Sequence, residues 1–417
     1  MGSTAESGAA RSSPGLSPEQ IAIVKSTAPV LAEHGLTITT HFYKSLLSAC
    51  PHLKNVFNNG HQATGTQQAA LAHAVWAYAA NIDNLGALGP AVSRISHKHA
   101  SMAVAPEHYP IVGKYLLESI KAVLGDAATQ PILDAWEAAY GQLAEVFIST
   151  EKNLYKSMTE AKGGWTGWRK FKVARKVPES DEITSFYFEP IDGKALPTYE
   201  PGQYISIRLY IPELGLYQPR QYSLSQSANE SQFRISVKRE GATYDKPAGC
   251  VSNFLHRELS EGDEVELSNP RGDFTLDVTT DKPVVLISGG VGITPMLAML
   301  GQLTENAKQR KVLFVHATRS GKVHAMKDYV NETHSQNPQV GKAVFYENIG
   351  EHDVREIDYD YEGRLDLEKI RDRVLLPDAD YYLCGPSGFM QAQQKKLESM
   401  GVAKERIHSE VFNAGNL

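Results

Sequence analysis

Cysteine is scarce in this chain: Cys50, Cys250 and Cys384 are the three among 417 residues. They stand far apart, which excludes a disulfide framework and a clustered thiolate metal site and suits a reducing compartment. No Cys-x-x-Cys-His occurs, so thioether attachment of a haem is excluded. No run approaches the roughly 20 apolar residues that a membrane span needs, so integral membrane association is not expected. The formal net charge is −6 with no basic block, which argues against nucleic acid or an anionic membrane as partner. Near the start, Glu6 occupies the position where a myristoylation signal wants Ser or Thr. One arginine, Arg11, beside one acid makes a poor mitochondrial presequence. The expectation is a cytoplasmic protein, with a mitochondrial location as the weaker alternative.

The chain has 42% hydrophobic and 22% charged residues, the balance of a soluble globular protein long enough for two or three domains. Residues 1–16, rich in Ser, Ala and Gly, read as a disordered tail. Ser17-Pro18-Glu19-Gln20 then reads as a helix start, with Ser17 as N-cap and Gln20 closing a capping box. From there to about residue 158 the pattern is helix after helix with no convincing period of two. Residues 159–165, including Gly163-Gly164, read as a linker. From 166 to 278 the apolar residues alternate, as in Ile205, Ile207, Leu209, Ile211 and in Phe233, Ile235, Val237, which indicates antiparallel strands of a barrel. From 279 to 417 fully apolar strands such as Val284-Val285-Leu286-Ile287 lead through glycines into helices, the pattern of an α/β parallel sheet. The predicted fold is therefore multidomain: all-α, then an antiparallel β-barrel, then α/β.

Two histidines of the helical part, His97 and His99, lie two residues apart. On a helix that is about 200° of rotation, so they cannot face one pocket. His99 shares its stripe with Val92, Ile95 and Met102 and points inward. His97 shares its stripe with Ser93, Arg94 and Ser101, which reads as a solvent face. Helical geometry alone leaves His99 open to two readings, a hydrogen-bonded core histidine or a metal ligand. Gln67 and Leu71, four apart, stack a polar donor beside an apolar wall on one helix face.

The second half carries phosphate and flavin chemistry. Arg220-Gln221-Tyr222-Ser223 could supply a cation for a pyrophosphate, an aromatic face and a hydroxyl, since alternate strand residues project to one side. Taken alone the tetrapeptide is a weak signal. Gly249-Cys250-Val251-Ser252 opens a helix with small residues, where backbone N–H groups can bind phosphate. Gly290-Val291-Gly292-Ile293-Thr294-Pro295 lets the backbone approach a pyrophosphate at a helix N-terminus. It departs from Gly-x-Gly-x-x-Gly by ending in proline, and by itself can be only a turn. Cys384-Gly385-Pro386 ends a later strand.

The ordered set Tyr43, Pro51, Phe57, Gln67, Leu71, His99, Tyr109, Glu151 resembles the globin domain of flavohaemoglobins. The second-half motifs, with Pro201-Gly202-Gln203-Tyr204, resemble the ferredoxin-reductase-like module of the same family. The resemblance implies haem b with His99 as the proximal iron ligand, Phe57 packed on the haem face, and Tyr43, Gln67 and Leu71 on the distal side. It makes Tyr109 and Glu151 the proximal partners of His99 and Lys98 a haem-side residue facing the flavin. It assigns FAD contacts to Tyr204, Arg220, Gln221, Tyr222, Ser223, Gly249, Val251 and Ser252, with Glu410 and Phe412 over the flavin. It assigns NAD(P)H contacts to Gly290, Val291, Gly292, Thr294, Pro295, Cys384, Gly385 and Pro386. Arg319 is a candidate for the 2′-phosphate of NADPH, although arginines after strands are common. The implied activity is nitric oxide dioxygenation, in which two NO and two O₂ with one NAD(P)H give two nitrate, carried out by a monomer. Two alternatives remain: an oxygen-binding or gas-sensing globin with an auxiliary reductase, and a general NAD(P)H flavin reductase.

Overall fold

The computed structural model describes residues 15–244, 247–307 and 309–412. Residues 1–14 of the tail expected over 1–16, with the Glu6 and Arg11 readings, and the C-terminal stretch 413–417 lie outside the described residues; Leu16, at the end of that expected tail, packs half-buried on the helical core. The capping box expected at Ser17 forms: Ser17 N–H donates to Gln20 Oε1 at 2.9 Å and Gln20 N–H to Ser17 Oγ at 3.2 Å. It opens α1 (Pro18–Ser26), followed by α2 (Ala28–Ala49), the short α3 (Asn59–Ala63), α4 (Thr66–Ala80), α5 (Gly89–Ser101), α6 (His108–Leu124) and the long α7 (Gln130–Glu160). Their apolar faces close one core around Phe42, Tyr43, Leu46, Tyr78 and Trp136. A satellite cluster of Tyr109, Ala144 and Phe147 lies beneath α5. Helix α7 persists two residues into the stretch expected as linker.

The barrel contains β1 (Arg169–Pro178), β2 (Ile183–Pro190), β3 (Tyr204–Ile211), β4 (Leu216–Ser223), β5 (Phe233–Lys238), helix α8 (Cys250–Arg257) and β6 (Glu264–Leu267). The strand order is β4-β3-β6-β1-β2-β5, and every pair is antiparallel. A Leu224–Ile235 bridge links the two outer strands and closes the sheet on itself. The alternating residues Ile205, Ile207, Phe233, Ile235 and Val237 are all fully buried inside it, as a period of two requires.

The last domain runs β7 (Val284–Gly289), α9 (Ile293–Asn306), β8 (Val312–Thr318), α10 (Lys327–Gln336), β9 (Val340–Tyr346), β10 (Tyr361–Glu362), α11 (Arg371–Val374), β11 (Asp380–Cys384), α12 (Ser387–Ser399) and β12 (Ile407–Glu410). Its sheet is parallel throughout, in the order β10-β9-β8-β7-β11-β12. Helices cover both faces, giving two cores on either side of the sheet. The chain order reverses between β7 and β11, and such a switch point opens a crevice at the carboxyl ends of the two strands. Gly289–Pro295 leaves β7 there and Cys384–Pro386 leaves β11.

Candidate functional site

His99 sits near the C-terminus of α5, and its ring is tied down from one side only. Its Nδ1–H donates to Glu151 Oε1 at 2.7 Å, and the Tyr109 hydroxyl donates to the same oxygen at 2.6 Å. Glu151, on α7, is 2% exposed, so this carboxylate is held by a phenol and an imidazole rather than by water. Two further phenols brace the arrangement: Tyr140 donates to the Tyr109 carbonyl and Tyr155 to the Val104 carbonyl, each at 2.7 Å. Phe147 packs 5.8 Å from the His99 ring. Burial and the neighbouring Glu151 push the Tyr109 phenol far above its ordinary range, so it stays a donor.

The other ring nitrogen of His99, Nε2, takes no partner among the described residues, while Nδ1 is fixed as donor by its carboxylate. That leaves a basic lone pair turned away from Glu151. No trio of His, Cys, Asp or Glu that could hold a metal converges among the described residues. A metal at His99 must therefore bring its remaining ligands with it, as a porphyrin does. Phe57 and Leu71 are only half-buried although they pack on the helical core. The Tyr43 phenol is buried, with the Phe57 ring edge-on at 5.5 Å. Burial pushes its pKa up to about 12, and a hydrogen bond with Gln67 draws it part of the way back. Tyr43, Phe57, Gln67 and Leu71 thus stand on α2, α4 and the segment between them.

The sequence misplaced the polar stripe of α5. It faces the barrel, not solvent. His97 Nδ1 accepts from Gly272 N–H at 3.1 Å, Ser93 Oγ donates to Asp273 at 3.1 Å, and buried Ser101 Oγ accepts from buried Ser206 Oγ at 2.9 Å. Gln221 Nε2 donates to Ser206 Oγ at 3.0 Å, so a hydrogen-bonded line runs from β4 through β3 to the helix carrying His99. Ser206, Asp273 and Arg271 were missed by sequence reading and Ser101 was read as solvent-facing, because a polar residue satisfied by another domain looks solvated in sequence.

On the barrel, Arg220 and Tyr222 share one face of β4. Strand alternation puts Ser223 with Gln221 on the other, not beside Arg220 as the tetrapeptide suggested. Ser223 pairs with Tyr204 across the ladder, and its hydroxyl bonds to Glu410. Burial drives the Tyr204 and Tyr222 phenols well above their ordinary range. Arg220 and Lys98 come near each other, together with His61 of α3. Burial chiefly, and then these two cations, pull the His61 imidazole down to about 4. His61 Nδ1 is buried without a partner. Arg220 reaches only the Pro219 carbonyl (2.7 Å), Gln218 Oε1 (3.5 Å) and Cys250 Sγ (3.7 Å). Half-buried cations without a carboxylate are costly, and they fit the anionic groups of a haem or an FAD. Gly249 precedes α8, and Ser252 Oγ accepts from Glu240 N–H at 3.2 Å. Val251 is buried under this turn.

In the crevice between β7 and β11 the backbone does the shaping. A Cβ on Gly292 would lie 2.2 Å from the Cys384 carbonyl oxygen, and Gly290 has φ +54°. Thr294 Oγ1 caps the turn by donating to the Val291 carbonyl at 3.0 Å, and Pro295 lies in the first turn of α9. Gly385 and Gly289 make room for the Phe389 ring. Burial, and Glu410 nearby, push the fully buried Cys384 thiol well above its ordinary range. Glu410 ends β12 beside Cys384. Burial and Asp273 raise its carboxyl to about 8, and Oε2 has no partner. Phe412, two residues on, is exposed. Arg319 is paired with Glu182 of the barrel, so it is not a free cation for a 2′-phosphate. The 243–248 loop is described except for residues 245–246, and its Tyr244 is fully exposed.

Known proteins show the same three parts. The chain matches the globin family over residues 40–147, the oxidoreductase FAD-binding domain over 170–276 and the oxidoreductase NAD-binding domain over 286–395. It is 58% identical over 403 residues to a flavohemoprotein of Bordetella parapertussis, covering 96% of this chain and 100% of that one. It is 53% identical over 399 residues to one of Chromobacterium violaceum, covering 96% and 98%. Among solved structures, a Malassezia yamatoensis flavohemoglobin with bound FAD and heme superposes with TM-score 0.84 at 31% identity, covering 96% of this chain and 100% of that one. The FAD/NAD-binding domain of a Vibrio cholerae nitric oxide dioxygenase superposes with TM-score 0.53 at 41% identity, covering 58% and 98%.

Proposed function

We infer, from the premise that this chain belongs to the flavohemoprotein family, that it oxidises nitric oxide to nitrate with O₂ and NAD(P)H. The reading rests on one observation above the others: His99 keeps Nε2 free while Glu151 and Tyr109 fix Nδ1. A carboxylate accepting the Nδ1 proton gives the imidazole imidazolate character and makes Nε2 a stronger electron donor. That favours turnover over reversible oxygen carriage. The Vibrio protein named for this activity supports the same reaction class.

Bound haem b and FAD would supply the redox chemistry, hydride uptake being divided into single-electron steps that allow O₂ to be used against NO. The chain's own residues do the rest. His99 would hold the haem iron through Nε2, and Phe57 and Leu71 would keep water off the pocket. Tyr43, protonated at every physiological pH because its pKa is about 12, offers an O–H donor where negative charge develops. Gln67 orients that phenol and adds an amide donor. Arg220 and Lys98 would compensate cofactor anions, and Tyr222, Tyr204 and Phe412 would hold the flavin ring. The crevice of Gly290, Gly292, Thr294, Gly385 and Pro386 receives NAD(P)H, with Cys384 at the nicotinamide end. Ser223 and Glu410 hold a proton near the flavin's redox edge. Joining both halves in one chain raises their effective concentration to about millimolar, so haem reduction does not wait on encounter.

The test is direct. Purified protein with NADPH, O₂ and NO is followed by an NO electrode and a nitrate assay. Stoichiometric nitrate is expected, and Tyr43→Phe should slow NO loss on the order of 10-fold with the haem retained. NO loss no faster than that of the haem-free His99→Ala protein would reduce the chain to a flavin reductase.

A further inference from the structure

Arg271 lies in the turn after β6, next to the Gly272 N–H that bonds to His97. It is 8% exposed. Its Nε is buried with no hydrogen-bond partner. Its electrostatic neighbours are the Tyr204 and Tyr155 phenols rather than a carboxylate, and burial pulls its pKa down to about 10. A guanidinium in that state is a costly element unless an anion completes it.

The space beside it is suited to one. Arg271 lines a cleft of about 300 Å³ between the end of α7, the 197–203 loop and the 269–271 turn. Since one water occupies about 30 Å³ in the liquid, there is room for a small anion with its hydration. Thr198 supplies a hydroxyl and Asn269 an amide to the lining; the Asn269 amide donates one N–H to the Trp165 carbonyl and keeps a second, whereas the Ser157 hydroxyl is already donated to the Leu154 carbonyl. The one acid of the lining, Glu200, is an exposed residue. None of these residues is expected at haem, flavin or nicotinamide.

We propose that this cleft binds a small oxyanion through the Arg271 guanidinium, with Thr198 and Asn269 as neutral donors, between the helical domain and the barrel. The planar fork of arginine bonds two oxygens of one anion at once. Both flanking contacts of the turn, Gly272 to His97 and Asp273 to Ser93, hold α5. An occupied cleft therefore stiffens the junction that carries His99 against the barrel. The chemistry suits nitrate or inorganic phosphate, and the site stands on Arg271 and the cleft whether or not the chain oxidises NO.

The experiment uses the full chain loaded with haem and FAD. Thermal unfolding is followed by the Soret band in chloride, nitrate and phosphate at matched ionic strength and pH. A saturable rise in Tm of about 2 °C over chloride is expected for at least one oxyanion. Phosphate also stabilises proteins by exclusion from their surface, so the response must vanish in Arg271→Met. Thr198→Asp, an exposed substitution that places a carboxylate in the lining, should abolish it as well and serves if Arg271→Met does not fold. A nitrate-selective response identifies the planar anion, and a phosphate-selective one the tetrahedral anion. No rise over chloride, or a rise that survives Thr198→Asp, overturns the proposal. So does an Arg271→Met protein that loses FAD while keeping its anion response.

Discussion

The proximal side of His99 and the crevice between β7 and β11 solve opposite problems with opposite materials. Around His99 the structure uses side chains: Glu151, Tyr109, Tyr140 and Tyr155 form bonds of 2.6–2.7 Å that hold one imidazole, its carboxylate and the backbone beside them in place. In the crevice it removes side chains, because Gly292, Gly289 and Gly385 allow two strand ends and a helix to meet. The first region tunes a group that stays in place; the second makes a shape that a diffusible molecule can enter. Damage should therefore be graded in the first and abrupt in the second.

Gly292→Ala offers the harshest test. A methyl 2.2 Å from the Cys384 carbonyl must move backbone, at a cost of about 3 kcal/mol. Hydride transfer from NADPH to FAD should fall on the order of 100-fold, since misplacements near 1 Å have that effect. Dithionite should still give a normal ferrous haem spectrum. Stopped-flow flavin bleaching reads the outcome, and near-normal bleaching would show that the crevice is not where nicotinamide lands.

Glu151→Gln should be milder, because the amide keeps an acceptor for His99 while losing the charge. The haem should remain bound, its reduction potential should rise, and NO turnover should drop on the order of 10-fold. A potential unchanged in spectroelectrochemical titration would remove Glu151 from electronic tuning and leave it a packing role.

The smallest effect is expected at Glu410, which stands between the two regions. Its carboxyl is raised to about 8 by burial and by Asp273, with Ser223 and Arg94 opposing. The folded pKa exceeds the unfolded value, so the protonated form is favoured by folding. The group's contribution to stability accordingly falls as pH rises from the ordinary carboxylate range to about 8. Above that, a negative charge appears near the flavin. The flavin potential should then drop between pH 7 and 9 by more than in Glu410→Gln. Parallel pH dependences in the two proteins would place the titration elsewhere.

Much of this was legible in residue order. The capping box at Ser17, the buried alternation of Ile205 to Ile211 and the glycine turn after Val284–Ile287 depend on neighbours in sequence, and each formed as expected. His99 was separable from His97 by helical rotation alone. The face of His97 was misread because a polar stripe looks the same whether water or another domain's polar backbone satisfies it. Ser206 and Ser101 show the same ambiguity: both are fully buried, yet each reads as an ordinary solvated serine. The face of β4 that Ser223 takes was misread by counting residues rather than strand faces.

The sequence by itself determined the order of helical, barrel and parallel-sheet segments, the inward histidine and the glycine turns, because periodicity and backbone permissiveness act over a few residues. Glu151, 52 residues from His99, was reached from sequence only through the family resemblance; tertiary structure alone decided that the polar edge of α5 seals against β3 and that Arg271 is buried without a counter-ion. Those are consequences of which surfaces meet, and the desolvation that gives such charges their meaning does not exist until the domains have closed on one another.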